Sequence, residues 1–221
     1  MALLITGISL SPRLNKLSEY NLKQSLKSKD LGLFVLKLFT AKAVSQILIR
    51  DTMNDQLFAA EFAKELEAET PSTLKCLERI PPELFGWKPH EKSMELGYLA
   101  LLVAEIPLWI THIIKKSEID FATFQHMKAE TTLDLVNHFK QNVADAKDAL
   151  RALKEGDLAE TFYLKANGQV LFSSPKKEQV ESTINHMVHH RGQLTVYMRL
   201  NNIAVPSIYG PSADDKSFTA G

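Results

Sequence analysis

His186 and His190 carry the clearest chemical pattern in the chain. Four residues apart on a helix, their imidazoles leave one face a turn apart, where they can share a single ion. They do not form the His-Glu-x-x-His pattern of a zinc protease, because Met187 follows the first histidine and no general-base carboxylate stands beside it. The same spacing also suits a histidine pair in a polar core or on a surface. Metal chemistry therefore needs a third ligand from another element, with water in the remaining position.

Composition bounds what could surround the pair. The chain has 221 residues, 45% apolar and 24% charged, which is ordinary for a folded globular protein. The formal net charge of zero excludes a generally basic nucleic-acid-binding surface. It hides an uneven distribution: residues 1–50 hold eight Lys or Arg against the two acids Glu19 and Asp30, so the remainder is acidic by six charges. Cys76 is the single cysteine, so no intrachain disulfide can form, and a reducing, cytoplasmic compartment is expected. Its place in a helical pattern makes it a small core residue.

Residues 1–50 are expected to be an N-terminal extension, weakly ordered or forming one short helix. Their apolar runs are far shorter than the roughly 20 residues needed to cross a bilayer, so no membrane span is expected there. Residues 51–221 should form one domain. Phe58, Phe62, Leu66, Thr70, Thr73, Leu77 and Ile80 recur at helical spacing, and Pro81-Pro82 ends that pattern. Leu96 to Ile113 is apolar on more than one face, marking the most buried helix, with a bend expected at Pro107. A polar connection over 117–130 leads to an amphipathic helix from Leu133 to Leu153, with Gly156 at its stop. Asn167-Gly168 between two β-prone runs predicts a hairpin, and a fourth helix then runs from after Pro175 to about Asn201 with both histidines. Four such helices predict an all-α four-helix bundle with a small β-hairpin before the last helix.

Several segments resemble the DinB-like (YfiT-like) family of metal-dependent four-helix bundles. They are Trp87 to Met94, Leu96-Gly97, Leu99-Ala100, Ala104-Glu105 with Pro107 and Trp109, Asn185-His186 with His189 to Leu194, and Val205 to Asp214. The resemblance covers about residues 54–215. It implies an up-down-down-up bundle, homodimerisation, and a divalent ion (zinc, nickel or manganese) held by one histidine on the second helix and two on the fourth. It also implies a low-molecular-weight thiol as co-substrate, as in relatives that are thiol-dependent transferases. His186 and His190 match the fourth-helix pair. The second-helix position is Leu102, which cannot bind a metal, so the expected site is weak or absent unless Glu105, one turn on, assists.

Around this set, Arg191 and Gln193 are expected to orient the helix or tail, and Gly192 to permit close helix contact. Trp87, Trp109 and Tyr209 read as core anchors. His90, His126 and His138 lie in polar sequence and need no function. Three kinds of protein remain open: a metal-dependent transferase or hydrolase acting on a small molecule, a metal-free binding module with an apolar pocket between helices, and a dimerisation module.

Overall fold

The computed structural model describes residues 55–217, and the readings made for residues 1–50 lie outside them. Four helices account for most of this region: α1 (residues 55–77), α2 (Leu96–Lys116), α3 (Thr132–Arg151) and α4 (Lys176–Leu200). Three short strands complete it: β1 (Glu118–Asp120), β2 (Thr161–Ala166) and β3 (Gln169–Pro175).

The core is built on α2, as its two-sided apolar pattern predicted. Every residue from Leu99 to Pro107 is buried, and the helix packs against both α3 and α4. Each fully buried leucine there contributes about 1.5–3 kcal/mol. This is also the one helix among the described residues long and apolar enough to cross a membrane, and most of it is covered by the rest of the fold. Pro107 lies within an unbroken α2. Gly97 follows from close approach: an added Cβ would stand 2.7 Å from Phe85 Cβ and 3.0 Å from its Cα. No side chain fits that gap without moving backbone.

Local chemistry sets the helix ends. Thr131 and Asp134 form a reciprocal capping box that starts α3, and Thr132 Oγ1 donates to Ile80 O at 2.7 Å. The helix ends at Arg151, earlier than the stop placed at Gly156; that glycine instead begins a 3-10 turn at φ +87°. Asp55 Oδ2 accepts from Gly156 N and Leu158 N, fixing this turn to the start of α1.

The hairpin forms where expected. Asn167 and Gly168 both have positive φ (51° and 77°), the two-residue turn whose twist suits antiparallel strands. The expectation of a simple hairpin needs one correction, because β1 adds a third strand, parallel to β2, within what reads as a polar connection. Asp120 holds it there, its carboxylate accepting from Asn167 N, Gly168 N and Ala122 N.

Candidate functional site

On α4, His186 Nε2 and His190 Nε2 lie 2.7 Å apart. His190 Nδ1 lies 2.7 Å from Gln193 Oε1, one turn on. An amide oxygen only accepts, so Nδ1 carries the proton and the His190 Nε2 lone pair faces His186. His186 then donates its Nε2 proton into that lone pair. Desolvation, with His190 and His189 nearby, pushes the His186 pKa down to about 4. Burial also lowers that of His190, against the opposing pull of Gln193. Both rings are neutral at physiological pH.

Glu105 lies on α2 and is 1% exposed. Its Oε2 is 2.5 Å from His126 Nδ1, its Oε1 accepts from Met127 N at 2.8 Å, and His138 Nε2 of α3 lies 3.6 Å from Oε1. The carboxylate thus gathers two histidines that sequence reading left without a role, from the β1–α3 connection and from α3. Tyr98, one helical turn before Leu102 on α2, packs edge-on to His126 at 5.9 Å between ring centroids.

A run of aromatic contacts joins the two polar groups. His126 edges Phe124 (5.1 Å), Phe124 edges Trp109 (6.2 Å), and Trp109 lies against His186 (5.3 Å). His112, whose pKa burial lowers, meets Phe124 as well. Tyr98, Glu105, Trp109 and His112 follow one another at seven, four and three residues, all helical spacings, so one stripe of α2 carries this whole surface.

The fit to a metal ion can be judged atom by atom. Two nitrogens bound to one tetrahedral zinc at about 2.0–2.1 Å stand about 3.3 Å apart. The His186 and His190 Nε2 atoms need open by only about half an ångström to reach that spacing. Among the described residues, no three His, Cys, Asp or Glu side chains are placed to share one ion. Leu102 is buried, and both Glu105 oxygens are engaged by the 126–127 backbone and ring. The pair fits an ion as two donors.

The other residues singled out in the sequence divide. Arg191 is buried, donates to Ser72 Oγ, Thr73 Oγ1 and Tyr209 Oη, and pairs with Glu69, so it does orient the tail. Tyr209 is no core anchor: the residue is 65% exposed and is held by its hydroxyl, which donates to Glu69 Oε1. Gly192 makes no close helix contact, since a Cβ there would meet nothing within 4 Å. Cys76 is fully buried.

With this geometry in view, the family model described as "DinB family" matches residues 53–217, and the chain belongs to that family. YrdA of Bacillus subtilis (strain 168) is 28% identical over 158 residues, covering 70% of this chain and 89% of that protein. Two solved structures share the fold. A DinB-like protein of Bacillus subtilis, YjoA, has a TM-score of 0.51 at 20% identity, covering 65% of this chain and 93% of that one. A DinB-like protein of Bacillus cereus has a TM-score of 0.51 at 22% identity, covering 67% and 95%.

Proposed function

We propose that the chain is a metal-assisted enzyme acting on a small electrophile, with His186 and His190 holding a divalent ion (zinc, nickel or manganese) and a low-molecular-weight thiol or water as nucleophile. The observation that carries this reading is the convergence of two neutral Nε2 atoms at 2.7 Å, with Gln193 Oε1 fixing one ring in the ligand-competent tautomer. Such an ion supplies a lowered pKa for a bound thiol or water, giving a nucleophile at neutral pH. The chain's own residues supply the rest. His190 offers its Nε2 lone pair as it stands, His186 offers its own once the Nε2 proton shifts to Nδ1, Trp109 shields one side of His186, and Phe124 extends the apolar wall. The thiol comes from outside the chain, because burial pushes the Cys76 pKa up to about 11. Glu105 joins the ion only by releasing His126 and Met127.

The continuous aromatic surface favours one alternative, a metal-free module that binds a small planar or apolar ligand. Two family features belong to the same proposal. The connection over 117–131, at about 3.3 Å per extended residue, is long enough to run back along a helix as an up-down-down-up order requires. Leu57, Val196 and Leu200 remain exposed and offer apolar surface for a homodimer.

Metal content tests the reading. Protein dialysed against zinc, nickel or manganese should retain an ion in the parent, lose it in His186→Ala, and bind it more tightly in Leu102→His. No retained metal in the parent with binding restored by Leu102→His would overturn the enzyme reading in favour of the binding module.

A further inference from the structure

Phe124 and Trp109 stand between the Glu105–His126 pair and His186 of α4. Glu105 is buried at 1% exposure, whereas the His126 side chain is 40% exposed. The ring turns its Nδ1 edge inward to the carboxylate at 2.5 Å, so its outward edge carries Nε2. A carboxylate only accepts, which places the proton on Nδ1 and leaves the Nε2 lone pair outward. Met127 N holds the other carboxylate oxygen, so the base of the pair is fixed by backbone. No Lys or Arg pairs with Glu105 among the described residues; its close partners are His126, Met127 N and His138. Its charge therefore remains directed at the two imidazoles. Tyr98 and Phe124 pack against the His126 ring at 5.9 and 5.1 Å between centroids, so two aromatic rings stand beside it.

We propose that His126 is a second reactive centre, a nucleophilic imidazole oriented by Glu105 that cleaves small activated esters bearing a planar aromatic group. The Nε2 lone pair attacks the ester carbonyl. An N–C bond forms, the C–O bond to the aryl oxide breaks, and the aryl oxide leaves with the electron pair. The resulting acyl-imidazolium keeps its Nδ1 proton, and its positive charge lies against the Glu105 carboxylate. Water then attacks the acyl carbon and gives up one proton, which passes through solvent to the aryl oxide; the N–C bond breaks with its electron pair returning to Nε2, and the carboxylic acid departs. The net reaction is ester plus water to acid plus phenol. It uses no metal, which separates it from the chemistry proposed for His186 and His190.

The test uses the full chain with p-nitrophenyl acetate in the presence of EDTA, so the metal proposal can fail without affecting it. Saturable release of p-nitrophenolate is expected, falling at least fivefold in His126→Gln and unchanged in His90→Gln, whose exposed ring has no carboxylate partner among the described residues. Mass spectrometry of the quenched reaction should place the acetyl group on His126, and Glu105→Gln should slow release while leaving the exposed ring in place. A fall of less than fivefold in His126→Gln, or an acetyl group mapped to other histidines, would overturn the proposal. His126→Gln and Glu105→Gln both alter the surroundings of a buried carboxylate, so each is checked for folding by its urea midpoint; should either not fold, the position of the acetyl group on the parent chain decides alone.

Discussion

Arg191 Nη1 of α4 lies 2.5 Å from Glu69 Oε2 of α1, forming an ion pair from which almost all water is excluded. The same nitrogen donates to Ser72 Oγ, Thr73 Oγ1 and Glu69 O. Nη2 donates to Tyr209 Oη, whose own proton goes to Glu69 Oε1. One guanidinium thus joins the first helix, the last helix and the C-terminal tail. Arg199, two turns on, adds a second tie to the tail through both oxygens of Asp214.

A buried charge that loses its partner pays the full desolvation cost, about 3–5 kcal/mol for such a pair. Arg191→Met should therefore lower stability by about that amount, measured as the shift in a urea unfolding midpoint at constant slope. Tyr209→Phe keeps the ion pair and should lose only about 1 kcal/mol. Equal losses in the two variants would mean that the tail contact, and not the charge pair, carries the stability.

The histidine pair makes a prediction of sign. The folded-state pKa of His186 is depressed to about 4 by burial, against an unfolded value near 6.5, and that of His190 is shifted the same way. Below the unfolded value, the unfolded chain binds protons that the native state refuses. The stability from these rings is fully present above about pH 6.5 and is lost as pH falls toward about 4. In EDTA, urea midpoints of the parent should drop across that window, and those of His186→Gln should drop less. Parallel pH profiles would place the acid sensitivity elsewhere.

Legibility in the sequence followed the range of the interactions. Helical periodicity showed α2 as the core helix, and the four-residue spacing of His186 and His190 put them on one face because both signals are local. Asn167-Gly168 revealed the hairpin for the same reason: few residues besides these tolerate two successive positive φ values. Glu105 and His126 are 21 residues apart, joined through a connection with no period of its own, so nothing local announces their contact. β1 is three residues long, too short for alternation to register, and exists because Asp120 binds a turn far along the chain. Tyr209 departs from its expected place in the core because its aromatic type suggests burial, while its hydroxyl is the part the fold uses.

Cys76 bears directly on the source of any thiol used by this protein. It is fully buried on α1, and desolvation pushes its pKa up to about 11, only partly opposed by the positive charges of Arg191 and Arg79. The thiolate is the reactive form, so the native side chain is doubly protected, by lack of access and by lack of ionisation. At pH 8, Ellman's reagent should label the native protein only as fast as the fold opens, whereas the urea-unfolded chain should react within minutes as an ordinary cysteine. Weakening the α1–α4 junction through Arg191→Met should speed native labelling by opening the same helix, at unchanged reactivity in urea. Rapid labelling of the folded parent would instead identify Cys76 as an accessible nucleophile and remove the reason for seeking the thiol outside the chain.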